Sequence, residues 1–60
     1  MKYVKLKTDI EGYYATLTEG SSFYPDEPDQ GFNDDGTFTI CQGFGVYLVL
    51  QPDQFEILEK

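Results

Sequence analysis

Nowhere in this chain do ten consecutive residues carry an apolar stripe of helical period. The apolar side chains alternate instead in short runs, each broken by Gly, Pro, Asp or Asn. That pattern confines the chain to strands joined by turns. Residues 2–8 place Val4 and Leu6 on one face and Tyr3, Lys5 and Lys7 on the other. Residues 9–12 break the alternation and read as a turn. It resumes over residues 13–18, with Tyr13, Ala15 and Leu17 on one face. Residues 21–24 form a short strand ended by Pro25, because proline cannot donate to a ladder. Residues 37–41 turn Phe38 and Ile40 inward. Gln42-Gly43-Phe44-Gly45 makes a tight connection to residues 46–50, the most apolar strand, with Val46, Leu48 and Leu50 facing one way. Gln51-Pro52-Asp53-Gln54 reads as one helical turn, and residues 55–58 close the chain as a strand. The expectation is an all-β fold: a small antiparallel barrel of five to six short strands, whose closure removes exposed edges.

Sixty residues make one domain, residues 1–60. A chain this size hides only about 60% of the surface its unfolded form exposes. Five Tyr and five Phe supply much of that burial and argue against disorder. The single Cys41 cannot form an internal disulfide, and a chain without His offers no zinc site. Further burial therefore has to come from self-association, a homodimer in the simplest case, or from a partner.

The least regular stretch is residues 25–36, PDEPDQGFNDDG. It holds two of the three prolines and five of the eleven acids, and is expected to be a long acidic surface loop, with Asp35-Gly36 as the turn into the next strand.

The two ends of the chain carry a resemblance. Val4-Lys5-Leu6-Lys7-Thr8-Asp9-Ile10-Glu11-Gly12 resembles the first strand and loop of small bacterial and phage SH3-like barrels. Residues 46–58, VYLVLQPDQFEIL, resemble their last two strands, joined by a short 3₁₀ turn at Pro52-Asp53-Gln54. The resemblance implies an SH3-like barrel. The acidic loop is longer than that pattern has. Signalling SH3 domains also carry an ALYDY-type motif and a groove tryptophan. This chain has neither, so proline-rich ligands are not implied.

Composition excludes several activities. Histidine acid–base chemistry is impossible, and Cys41 has no histidine to activate it. Cys41 reads as a small, partly buried strand residue. The acids fall in turns or on exposed faces, and so small a chain offers no cleft to exclude water. The chain is expected not to be an enzyme and to need no cofactor. Asp26, Glu27, Asp29, Asn33, Asp34 and Asp35 are hard oxygen donors, but their spacing fails the EF-hand pattern, so no metal site is expected. The longest apolar run is residues 46–50, too short to span a membrane. The first residues lack a signal-peptide apolar region. A cytoplasmic location follows as the expectation.

Charge is more informative. Eleven acids face four lysines, a net charge of −7. The lysines are Lys2, Lys5, Lys7 and Lys60, so residues 8–59 hold every acid and no base. Direct nucleic-acid binding is not expected, because phosphate contacts need clustered bases. The acids instead suit a protein partner with a basic surface. Aromatic rings interleave with them, as interface anchors do. The candidate binding residues are Tyr24, Asp26, Glu27, Asp29, Phe32, Asp34, Asp35 and Phe44. Three readings stand: a small inhibitor or regulator, of the kind phages and mobile elements encode, that docks on a basic protein; a DNA mimic whose carboxylates replace phosphates; and a structural accessory subunit or homodimer that buries Tyr3, Tyr14, Tyr47 and Val49.

Overall fold

Val4 and Leu6 share one face of the first strand, and both are buried. The computed structural model describes residues 1–27 and 29–60; Pro28, part of the expected acidic loop, lies outside them. Among the described residues eight strands follow one another: β1 (Lys2–Leu6), β2 (Ile10–Glu11), β3 (Thr16–Leu17), β4 (Ser22–Phe23), β5 (Gly31–Phe32), β6 (Phe38–Gly43), β7 (Val46–Leu50) and β8 (Phe55–Glu59). A 3₁₀ turn, Pro52–Gln54, lies between β7 and β8. Its sequence fits: Pro52 opens the turn, and the Gln54 side chain accepts from the Gln51 N–H at 2.8 Å.

All pairing is antiparallel and falls into three sheets, ordered β4-β1-β8, β2-β3 and β5-β6-β7. One core serves all three. Val4, Leu6 and Phe55 enter it from the first sheet, Ile10 from the second, and Phe38, Ile40 and Leu50 from the third. Leu17, Phe23 and Leu48 pack against its rim. Phe38 is fully buried and meets Phe55 edge-on, 6.3 Å between centroids. The radius of gyration, 10.6 Å, is that of a compact chain of this length, roughly 10 Å.

The all-β expectation holds, and five of its details change. The hydrogen-bonded sheets are not closed into a barrel. Residues 24–30 separate β4 from β5, so pairing stops between the first and third sheets, and no ladder joins β7 to β8 among the described residues. Eight strands replace five or six, because four of them are only two residues long. Residues 9–12 are not a plain turn: Ile10 is drawn into the core and pairs with Leu17. The strand expected over residues 13–18 shrinks to Thr16–Leu17, since Tyr13, Tyr14 and Ala15 are exposed in a bend closed by the Gly12 N–H on the Ala15 carbonyl, 3.2 Å. The acidic segment is likewise no continuous loop. Gly31 and Phe32 pair with Thr39 and Phe38.

Candidate functional site

The eight candidate residues fall in three places. Tyr24, Asp26, Glu27 and Asp29 lie where the first and third sheets part. Tyr24 follows β4 and stacks on Tyr3 across the strand, 4.9 Å between centroids and 26° between planes. The Lys60 Nζ sits 5.2 Å from the centre of the Tyr24 ring, within cation–π range. Two tight turns follow: the Glu27 N–H donates to the Tyr24 carbonyl at 3.4 Å, and the Gln30 N–H donates to the Glu27 carbonyl at 3.2 Å. Asp29 adopts φ 61°, a left-handed conformation that Asp tolerates better than most residues. Its carboxylate lies near Tyr47, where its charge, and secondarily desolvation, pushes the phenol above its ordinary range.

Gln30 spans this parting. Its Nε2 donates to the Tyr24 carbonyl at 2.9 Å, and its Oε1 accepts from the Cys41 N–H at 3.4 Å. A groove of about 570 Å³ runs beside it, between Ser22, Phe23 and Tyr24 on one bank and Cys41, Gln42 and Gly43 on the other, with Glu27 at the rim.

Phe32, Asp34 and Asp35 belong to the β5–β6 hairpin. Phe32 is 39% exposed, yet its ring meets buried Phe38 edge-on at 4.9 Å. It caps one end of the core and is not a free ring in a polar loop. Asp34 is exposed at the turn. The Asp35 Oδ1 accepts the Thr37 hydroxyl at 2.6 Å and the Thr37 N–H at 3.1 Å, an Asx turn. The hydroxyl bond first, and the backbone bond second, hold its carboxyl below the ordinary value of 3.8. Asn33 completes the turn, its Nδ2 donating to the hydroxyls of Thr37 and Thr39 at 2.9 and 2.8 Å. Asp35 therefore already has work in the fold.

Phe44 stands alone of the eight. It tips the β6–β7 hairpin and is 99% exposed. Gly43 pairs with Val46, so Phe44 and Gly45 form a two-residue turn, with φ 53° and 75°. Two positive φ values mark a type I′ turn, whose first position ordinarily carries Asn, Asp or Gly. A bulge precedes it between Cys41 and Gly43 and re-aims Gln42, whose Oε1 accepts the Tyr13 N–H at 3.2 Å. This brings exposed Tyr13 and Tyr14 beside the tip, and Tyr14 meets Phe44 edge-on at 6.5 Å.

The structure thus sets two candidates, Tyr24 and Glu27, on one groove, with Asp26 and Asp29 in the adjoining turns and Phe44 next to the lining residue Gly43. It sets Phe32, Asp34 and Asp35 at the far end of β6, roughly 17 Å along the strand at about 3.4 Å per residue. Sequence reasoning missed Gln30, Gln42, Ser22 and Phe23. A glutamine in a polar stretch gives no sign that its amide joins two sheets. Among the described residues no three metal-ligating side chains gather, and no helix is long and apolar enough to cross a membrane. Compared with family models, curated proteins and solved structures, the chain matches none significantly.

Proposed function

We propose that this chain is a non-enzymatic acidic binding protein that docks on a basic protein surface and regulates or inhibits its partner. We read its architecture as SH3-like. The two halves of one interrupted strand, β4 and β5, would link the order β8-β1-β4 to β5-β6-β7. A cytoplasmic, phage-type inhibitor is the setting this size and charge suit.

The observation that carries the reading is the placement of charge. Lys2 and Lys5 lie opposite Glu59 and Glu56 across the β1–β8 ladder. Lys7 follows β1, and Lys60 follows β8. Bases thus cluster at one sheet, where two of the four face acids across the ladder. Asp26, Glu27, Asp29 and Asp34 are exposed, within the stretch of residues 8–59 that holds no base. Exposed Phe44, Tyr13 and Tyr14 provide apolar anchors beside that field.

The test compares wild type with two variants as bait for basic proteins in nuclease-treated lysate, at low and moderate salt. One variant carries Asp26→Asn, Glu27→Gln, Asp29→Asn and Asp34→Asn; the other carries Phe44→Ala. Asp35 is left intact because its turn needs it. The reading expects a salt-sensitive protein retained by wild type and lost by both variants. Equal retention by all three baits defeats it. Displacement of that protein by duplex DNA would move the reading to mimicry of nucleic acid.

A further inference from the structure

The parting between the first and third sheets has the character of a missing strand. Among the described residues, β4 has a strand neighbour on one side only, β1. β5 covers β6, among the described residues, only at Phe38 and Thr39, so residues 40–43 also have a strand on one side only, that of β7. These two free stretches face each other across the groove of about 570 Å³. At one point the gap is already bridged. The Gln30 carboxamide donates toward Tyr24 and accepts from Cys41. A strand's peptide group does the same, presenting a donor and an acceptor to neighbours on either side. The side chain of Gln30 thus stands where a single peptide unit of an added strand would stand.

We propose that this seam receives an extended, lysine- or arginine-bearing segment of a protein partner as an added strand, pairing with β4 on one side and with residues 41–43 of β6 on the other. Main-chain hydrogen bonds supply the affinity in such strand addition, and alternate side chains supply the choice of ligand. Charge selects the ligand here. Glu27 stands at the groove rim, and Asp26 and Asp29 are exposed in the same turns. The one base beside the groove, Lys60, lies over the Tyr24 ring. The apolar side chains of the incoming strand meet Phe23 at the margin of the core, and its basic side chains point outward to the acids. The inference rests on the basic-partner reading and deepens it.

The experiment alters the probe and leaves the protein intact. A fluorescent peptide alternating lysine and valine is titrated against the full chain at low ionic strength. The same peptide, N-methylated on alternate backbone amides, is titrated beside it. Amide hydrogen exchange is followed at Ser22 and Cys41, the latter because its N–H faces the seam. The expected result is saturable binding, an affinity about tenfold or more weaker for the methylated peptide, and slowed exchange at both amides. Equal affinity of the two peptides overturns strand addition and leaves the basic-partner reading standing. Failure of both peptides to bind overturns the seam inference, while the variant baits decide the broader reading separately. Slowed exchange at Ser22 and Cys41 that rises with concentration of the free protein assigns the seam to a second copy, which also overturns the proposal.

Discussion

The ring of Phe44 meets the ring of Tyr14 edge-on, 6.5 Å between centroids, although one tips the β6–β7 hairpin and the other lies in the bend between β2 and β3. Both are exposed. Neither ring covers the core, so the pairing does little for the fold and much for the shape of one end of the molecule.

A change at Phe44 separates those two roles. Phe44 holds φ 53°, which strains any residue with a Cβ. Phe44→Gly relieves that strain but loosens the unfolded chain, so stability is expected to be unchanged or to rise by up to about 1 kcal/mol. Urea denaturation checks this. A loss of partner binding by a variant at least as stable as wild type would place Phe44 in the interface. A loss of more than about 1 kcal/mol would show that the ring supports the fold.

Gly12 holds the other half of that surface. A Cβ there would lie 2.6 Å from the Ala15 carbonyl oxygen and 2.6 Å from the Gln42 Oε1. The bend has to open, and the Gln42 bond to the Tyr13 N–H breaks with it. Gly12→Ala is expected to destabilise the chain by about 1–3 kcal/mol and to move the amide resonances of Tyr13, Tyr14 and Gln42. Unchanged resonances at those three positions would refute the close approach.

Asp35 gives the fold a pH dependence of known sign. Its folded carboxyl lies below the ordinary 3.8, through the Thr37 hydroxyl and N–H. The stabilisation is therefore complete above the ordinary value and is lost as pH falls from there through the folded value. Thermal denaturation across that acid range should show the Tm of wild type falling more steeply than that of Asp35→Asn. Parallel curves would mean that the Asx turn contributes nothing that titrates.

Phe32 and Phe38 touch each other and differ in burial, so their truncations differ in size. Phe38→Ala empties the centre of the core and is expected to cost about 3–5 kcal/mol, enough to unfold a domain this small. Phe32→Ala uncovers only the edge-on contact and should cost about 1–2 kcal/mol. Equal losses in a calorimetric comparison would make Phe32 a core residue in full.

Period-two alternation made the long strands readable. Val4, Leu6, Phe38, Ile40 and Leu50 are core because every second residue of β1, β6 and β7 has to point one way, and Pro52 marks its 3₁₀ turn openly. The short elements lacked enough residues to set a period. Ile10 looked like part of a turn because burial, not pattern, makes it a strand residue. Phe32 looked like a loop residue because its pairing partner Phe38 lies across a turn. Of the candidate site, the acidity and the aromatic rings interleaved with it were legible. The groove was not, since Gln30, Ser22 and Gln42 are ordinary polar residues whose meaning comes only from what they face.

Among the described residues β7 has a strand neighbour on one side only, and Val46–Leu50 contains no charge, no proline and no bulge of its own. Such an edge, with Tyr47 and Val49 exposed along it, would template the stacking of copy upon copy if nothing kept copies apart. The sequence puts no guard within the strand. The guard is the net charge of −7 carried by the rest of the molecule, a repulsion that acts before two edges can meet. Its acidity thus doubles as colloidal protection. That protection thins with ionic strength, as the screening length shrinks from about 30 Å in dilute buffer to about 3 Å in concentrated salt.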